Sequence, residues 1–145
     1  YWFLMNTETG RPMRITDADT DPYGEFNPKI EMEDAGRKIA VPREMEEIGH
    51  LVVMKHLLDT NLHVNNAQYV DIARELVPAG IEIGEIRAEY RKAAVLGDEI
   101  VVKSAREGRS HLVSLCNTNG DVFANIELKE RTQPQKYPAA GGRKT

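Results

Sequence analysis

The sequence contains a single cysteine, Cys116, in a chain of 145 residues. A lone cysteine excludes a disulfide bond within the chain and is typical of proteins in a reducing, cytoplasmic setting. Cys116 lies in an alternating pattern of apolar and polar residues, which predicts a buried core thiol rather than a reactive one. We therefore expect a cytoplasmic domain that is held together by its core.

Long apolar runs and a basic surface are also missing. No run approaches the roughly 20 residues that a membrane span needs, and the opening "YWFLM" is too short for the apolar region of a signal peptide. The net charge is −4 and no basic stripe stands out, which disfavours nucleic-acid binding. His50, His56 and His63 match no common zinc spacing, so we expect no metal and no other cofactor.

The composition predicts one domain with flanking segments. Residues 1–16 have a strand-turn-strand pattern that predicts a hairpin. Residues 17–45 are rich in Asp, Glu, Pro and Gly with little periodicity, which predicts an acidic linker or arm on the surface. Residues 46–131 carry the regular patterns of a folded domain, and the Pro/Gly-rich residues 132–145 predict a flexible tail.

The central region has the pattern of one strand, one helix and four further strands. The first strand is predicted at 50–58 and the helix at 65–77, where apolar residues on more than one side indicate a helix largely wrapped by other structure. The four later strands are predicted at 83–96, 99–106, 110–117 and 121–130. In the last strand, Val122, Ala124, Ile126 and Leu128 fall on one face, and Phe123 falls on the other.

This order of elements indicates an α+β protein with a hotdog fold, in which an antiparallel sheet wraps around one long central helix. A sheet that curls around a single helix accounts for a helix that is apolar nearly all round. One sheet and one helix leave an exposed edge strand and an incomplete site. We therefore expect the domain to pair, either as a homodimer or with a first hotdog domain.

The predicted junction between the first strand and the helix is unusually polar, with the sequence "DTNLHVNNAQYV" at residues 59–70. On an extended segment Asp59, Asn61 and His63 would project to one side, where imidazole, amide and carboxylate could hold a carbonyl and move a proton. The first N–H groups of the helix would add a positive dipole end beside His63. The alternative is structural, because Asn65 or Asn66 can cap the helix and an Asp/Asn turn often satisfies only backbone groups.

The same stretch resembles the Asp-x-Asn-x-His-Val-Asn-Asn-x-x-Tyr signature of acyl-acyl carrier protein thioesterases. The resemblance continues through "IRAEYRKAAVLGDEIVV" at 86–102, and "YWFLMNTETGRPMRI" is similar to the hairpin that closes the first of the family's two hotdog domains. It implies hydrolysis of an acyl-acyl carrier protein thioester to a free fatty acid, in fatty acid biosynthesis. The implied partner is the acyl chain linked to the carrier protein through phosphopantetheine.

Carried over by position, the resemblance assigns catalysis to Asp59, Asn61 and His63. His63 and Asn61 would hold the thioester carbonyl and the attacking water, and Asp59 would orient one of them. The neighbouring substrate-binding positions are Asn65, Asn66, Tyr69 and Ala93. Tyr69 has a second interpretation, because a tyrosine at this helical spacing also fits a core position.

Ala93 departs from the family pattern, which has a glutamate after the Tyr-x-x of "YRK" to help activate the water. Alanine cannot accept a proton, and losing a general base typically costs on the order of 10² to 10⁴ in rate. Glu89 shares strand parity with position 93, but about 13 Å of strand would separate the two. Two alternatives follow, namely a catalytically silent acyl-thioester-binding or dimerisation domain and a thioesterase that acts on acyl-coenzyme A.

The remaining charged residues have simpler interpretations. Arg87, Arg91 and Lys92 could meet an acidic carrier protein or its phosphopantetheine, but the interleaved Glu85 and Glu89 favour a solvated sheet face with salt bridges. His111 begins a predicted strand and is expected to be exposed or paired.

Overall fold

The computed structural model describes residues 4–24 and 36–132, so the predicted tail, apart from its first residue, lies outside the described residues. The chain forms two compact units, Tyr1–Ala35 and Gly36–Thr145. In the described part of the chain, no helix has the length and apolar character to cross a bilayer.

The first unit contains a small hairpin and one helical turn. Strand β1 (Leu4–Met5) pairs antiparallel with β2 (Pro12–Met13), within the stretch where the sequence predicts a hairpin. Helix α1 (Asp17–Thr20) follows, and a 3₁₀ turn covers Asp21–Tyr23. The sequence predicts an acidic surface linker or arm from residue 17 onward, and its weak periodicity does not indicate this helical turn. The turn forms because the Asp19 carboxylate accepts hydrogen bonds from the Thr16 backbone at 2.8 Å and hydroxyl at 2.7 Å.

The second unit is built on a five-stranded antiparallel sheet. Its strands lie in the order β3-β5-β6-β7-β4, so β3 and β4 form the two edges. This sheet and one helix packed on its inner face confirm the predicted hotdog architecture. The strands are β3 (Glu46–Val52), β4 (Ile83–Tyr90), β5 (Glu99–Glu107), β6 (Ser110–Cys116) and β7 (Val122–Glu130).

Helix α2 (Asn66–Arg74) is shorter and less enclosed than the sequence predicts. It ends at Arg74 because Leu76 and Val77 donate to carbonyls three residues back, which tightens the last turn before Pro78. Only Tyr69 and Ala73 are buried, at 2% and 0% exposure. The prediction of a helix wrapped nearly all round is therefore wrong, because the sheet covers one side and the other side faces solvent.

The core lies between α2 and the inner face of the sheet. Phe123 belongs to it, at 1% exposure, although simple alternation predicts Phe123 on the opposite face from Ala124. The strand has an irregularity there, since Leu115 pairs with Ala124 while Cys116 pairs with Val122. The extra residue turns Phe123 inward. Cys116 is buried, as predicted. The core residues are Val53, Val64, Tyr69, Ala73, Ala94, Ile100, Val102, Val113, Leu115, Phe123, Ala124, Ile126 and Leu128.

Two predicted strand boundaries are corrected by the structure. The strand predicted at 50–58 starts earlier and ends at Val52, and a 3₁₀ turn covers Lys55–Leu57. The strand predicted at 83–96 ends at Tyr90, and the chain then leaves the sheet before the turn into β5. Ala93 therefore lies in a loop, and the parity argument that links it to Glu89 does not apply.

Residues 36–39 contact the outer face of the sheet. The Arg87 guanidinium donates to the carbonyls of Gly36 at 3.3 Å and Lys38 at 3.2 Å. The Glu89 carboxylate accepts from the Ile39 amide at 3.1 Å. The guanidinium also pairs with the nearly buried carboxylate of Glu127 at 2.6 Å. A salt bridge is therefore present at Arg87 as predicted, but it is largely buried and not on a solvated face.

Candidate active site

Residues 58–64 form a tight turn, not the extended segment that the sequence predicts. Leu58 bridges Val64 in antiparallel fashion, and the Asp59 amide donates to the His63 carbonyl at 2.8 Å. Leu62 adopts a positive φ of 62°, which is uncommon for a residue with a side chain. The shared face predicted for Asp59, Asn61 and His63 therefore does not arise from strand alternation.

The carboxylate of Asp59 holds this turn. Its Oδ1 accepts from the backbone amide of Asn61 at 2.8 Å and from that of His63 at 3.3 Å. Charge-assisted bonds of this kind are stronger than bonds between neutral groups. The Asp59 carboxylate thus stabilises the backbone of the turn that carries His63.

The two asparagines that follow have separate roles. Asn65 is the N-cap of α2, since its Oδ1 accepts from the Ala67 amide at 2.9 Å. Its backbone carbonyl also accepts from the Gln68 amide at 2.9 Å. Asn66 is the first residue of the helix, and its carbonyl accepts from the Tyr90 hydroxyl at 3.0 Å. The predicted helix cap is therefore Asn65.

The loop after β4 is fastened to the His63 turn. Val95 bridges His63, and the Val64 amide donates to the Ala94 carbonyl at 2.9 Å. The Ala94 amide donates to the Tyr69 hydroxyl at 3.0 Å. These contacts bring Ala93 next to the turn, although thirty positions separate Ala93 from His63 in the sequence.

One cavity of about 210 Å³ lies at this meeting point. Of the residues predicted from the sequence, the cavity is lined by Asp59, His63, Asn66, Tyr69 and Ala93. The structure thus brings together the His63 turn, the start of helix α2 and the loop after β4 that contains Ala93.

Two predicted site residues, Asn61 and Asn65, are not part of the cavity lining. Both are exposed. Asn61 lies at the tip of the turn, and the side chain of Asn65 is engaged in capping the helix.

The cavity lining includes one aromatic residue that the sequence reasoning left out, Tyr90. Its ring centroid lies 6.0 Å from that of Tyr69, with 51° between the ring planes. Burial raises the pKa of both phenols above the ordinary value, so both hydroxyls keep their protons near neutral pH. Strand parity could have identified Tyr90, since it shares the inner face with Ile86 and Ala88.

Arg91 and Lys92 give the cavity a cationic side. The Lys92 Nζ lies 3.7 Å from Asp121 Oδ2, and both side chains are more than half exposed. Such a pair contributes little to stability. Both residues follow the end of β4, so they are not on the sheet face as predicted, although Lys92 is exposed and ion-paired as that prediction implies.

The other acidic and histidine residues considered in the sequence lie elsewhere. Glu89 accepts from Ile39 on the outer face of the sheet. His50 binds Glu47 and Glu99, and His111 lies 2.9 Å from Glu130, so His111 is paired as predicted. Among the described residues, no group of three or more His, Cys, Asp and Glu side chains is arranged to hold a metal ion.

A family model agrees with this geometry. The model described as the acyl-ACP thioesterase C-terminal domain matches residues 42–131, which include the turn, helix α2 and the complete five-stranded sheet.

Two plant proteins are similar in sequence. Oleoyl-acyl carrier protein thioesterase 2, chloroplastic, of Arabidopsis thaliana is 29% identical over 139 residues, covering 86% of this chain and 38% of that protein. Oleoyl-acyl carrier protein thioesterase, chloroplastic, of Coriandrum sativum is 26% identical over 145 residues, covering 89% and 39%. The chain therefore spans less than half the length of both relatives.

A solved structure shares the fold. The crystal structure of an acyl-ACP thioesterase from Bacteroides thetaiotaomicron superposes with a TM-score of 0.67 at 17% identity. The match covers 88% of this chain and 53% of that one. At this identity the likeness concerns the fold alone.

Proposed function

Because the chain belongs to the acyl-ACP thioesterase family, we propose that it hydrolyses an acyl-acyl carrier protein thioester to a free fatty acid, at the cavity beside His63. The observation that carries this proposal is the cavity itself. Asp59 and His63 of the motif and Ala93 of the distant loop line the same 210 Å³ space.

In the proposed reaction, His63 accepts a proton from a water molecule whose oxygen attacks the thioester carbon. The tetrahedral intermediate then collapses, the carbon–sulfur bond breaks, and His63 returns the proton to the leaving sulfur. The products are the fatty acid and the free phosphopantetheine thiol. Asp59 supports the reaction by fixing the backbone of the turn that carries His63.

Ala93 limits the expected rate and favours a second candidate. The alanine side chain cannot activate water, so the same cavity also fits a domain that binds an acyl thioester without turning it over. The two candidates differ in one measurement, since a silent domain binds a thioester and releases no thiol.

The rest of the proposal concerns the complete protein. Residues 1–16 would end a first hotdog domain, residues 17–45 would link it to the domain at 46–131, and residues 132–145 would form a flexible tail. The strand order supports pairing with a first hotdog or with a second copy, because β3 and β4 each have one neighbour in the sheet. The partner would be acyl carrier protein. The compartment would be reducing, and a cytoplasmic one fits the buried lone cysteine.

The test is thiol release from acyl carrier protein and coenzyme A thioesters of several acyl lengths. His63→Ala should abolish hydrolysis, whereas the matched control His56→Ala should not, because His56 is exposed and outside the cavity lining. Full hydrolysis by His63→Ala would show that the site is wrong. Faster release from coenzyme A than from the carrier protein would change the substrate class.

A further inference from the structure

We propose that the hydroxyl of Tyr69 donates a hydrogen bond to the carbonyl oxygen of the thioester in the cavity beside His63. This makes Tyr69 a catalytic residue that stabilises the developing oxyanion, and the inference rests on the function proposed above. The motif predicts that Tyr69 lies near substrate or in the core. The hydrogen bonds around Tyr69 indicate what its hydroxyl does.

The first observation is the direction of the bond that Tyr69 makes. A hydroxyl group has one proton to donate and lone pairs that accept. The Ala94 amide donates to the Tyr69 oxygen at 3.0 Å, so this contact uses a lone pair and leaves the proton. No acceptor for that proton occurs among residues 4–24 and 36–132. The residue is 2% exposed, so the cavity that it lines is the route by which an acceptor can reach this proton.

A buried donor of this kind is costly unless a partner is present. A buried hydroxyl proton without an acceptor is unfavourable, even when the oxygen of that hydroxyl accepts a bond as Tyr69 does. A ligand oxygen in the cavity that Tyr69 lines would remove the cost. Burial raises the pKa of the phenol, so the group stays a neutral donor and does not become a base.

Tyr90 provides the comparison within the same cavity. Its hydroxyl donates to the Asn66 carbonyl at 3.0 Å, so its proton already has an acceptor. Tyr90 is 43% exposed, and water can reach it. The Tyr69 hydroxyl therefore has a proton that it can donate to a bound carbonyl, whereas the proton of the Tyr90 hydroxyl is already donated to Asn66.

The position of the Tyr69 hydroxyl also fits the reaction. It lies against the peptide group that joins Ala93 to Ala94, and Ala94 accepts from Val64, the residue after His63. Ala94 is thus hydrogen-bonded both to the Tyr69 hydroxyl and to the residue that follows His63. Asn61, which the family pattern assigns to carbonyl binding, lies outside the cavity lining, and Tyr69 lies within it.

The first test compares two matched variants, Tyr69→Phe and Tyr90→Phe, each of which loses one hydroxyl. Removing one oxyanion donor typically lowers kcat on the order of 10² to 10³-fold. We expect Tyr69→Phe to lose kcat on that scale with little change in KM, and Tyr90→Phe to lose less than about tenfold. Equal kcat values for the two variants would overturn the inference.

Because Tyr69→Phe also leaves the Ala94 amide without its acceptor, a second measurement separates chemistry from folding. Binding is measured for two acyl-phosphopantetheine analogues, an amide that retains the carbonyl and a thioether in which a methylene replaces it. The ratio of the two Kd values does not depend on the folded fraction. The parent protein should prefer the amide by about tenfold, and Tyr69→Phe should lose this preference.

The outcomes separate the role of Tyr69 from the thioesterase activity itself. A preference for the amide that survives in Tyr69→Phe would overturn the role of Tyr69 while leaving the thioesterase proposal intact. If the parent protein bound neither analogue and released no thiol, the proposed function would fail and the inference would fall with it.

Discussion

Tyr69 and Tyr90 face each other across 6.0 Å, yet their hydroxyls make hydrogen bonds of opposite direction. Tyr69 accepts from the Ala94 amide, and Tyr90 donates to the Asn66 carbonyl. Together they join the start of helix α2 to β4 and to the loop that follows β4. Both phenols line the cavity beside His63, and their hydrogen bonds connect the segments that form it.

Restoring the acidic side chain at position 93 should increase turnover. Ala93 is exposed and lines the cavity, so a longer side chain has room there. We expect Ala93→Glu to raise kcat on the order of 10² to 10⁴-fold, the usual contribution of a general base. Ala93→Gln is the matched control, because it has the same size without the base. If Gln raised the rate as much as Glu, water activation would not be the cause.

Asp59 should affect both stability and activity by stabilising the turn that carries His63. Asp59→Ala removes the acceptor of the Asn61 and His63 amides, and we expect a loss of about 1 to 2 kcal/mol in the free energy of unfolding together with most of the activity. Asp59→Asn retains an acceptor oxygen and should recover much of both. Denaturant unfolding and thiol release measured side by side check this. An Asn variant that is stable but inactive would instead indicate that the negative charge acts on the chemistry.

The pairing of His50 with Glu47 and Glu99 should make stability depend on pH. The hydrogen bond that His50 donates to Glu47, and then the one that it donates to Glu99, raise the pKa of His50 above its ordinary 6.5. The bond from His50 lowers the pKa of Glu47 below 4.5. The His50 contribution is therefore complete below pH 6.5 and is lost as the pH rises through the folded-state pKa. On the acid side it disappears as Glu47 becomes protonated.

Thermal unfolding across a pH series tests this dependence. The difference in Tm between the parent protein and His50→Gln should be largest in mildly acidic solution and should shrink toward alkaline pH. His56→Gln is the control, since His56 makes no ion pair in the described part of the chain. A constant Tm difference over the whole series would rule out the linkage.

The Arg87–Glu127 salt bridge should contribute to the free energy of unfolding of the domain that contains the sheet. The two side chains are 20% and 10% exposed. Arg87→Leu therefore removes the main cationic partner of a nearly buried carboxylate, which keeps a hydrogen bond from the Ser110 hydroxyl at 2.8 Å and a 4.0 Å contact with Lys129. We expect a loss of about 3 kcal/mol in the free energy of unfolding, and a smaller loss when Glu127 is changed to Leu as well. Denaturant titration of both single variants and the double variant measures the coupling. A double variant less stable than either single variant would contradict it.

The sequence was sufficient for the fold class. Hydrophobic periodicity predicted the helix and the strands, and the motif directed attention to the start of the helix, where Asp59 and His63 line a cavity. Periodicity failed where local hydrogen bonds override it. The Asp59 carboxylate folds an apparently extended stretch into a turn, and an irregularity in β7 rotates Phe123 into the core.

Other features depend on contacts between distant residues. Nothing local to "EYRKAAV" indicates that β4 ends at Tyr90, because the chain leaves the sheet to meet Tyr69 and Val64. The difference between the two tyrosines is likewise invisible in the sequence. It arises from which partner each hydroxyl meets after folding.

The loop around Ala93 is held by its neighbour and not by its own side chain. Ala94 is fully buried, and its amide and carbonyl are both engaged in hydrogen bonds, whereas Ala93 is exposed at the cavity. The fold therefore places almost no constraint on the identity of residue 93. A substitution at such a position can remove a reactive group or restore it. The kcat of this site can therefore change, in evolution or by engineering, without a change in stability.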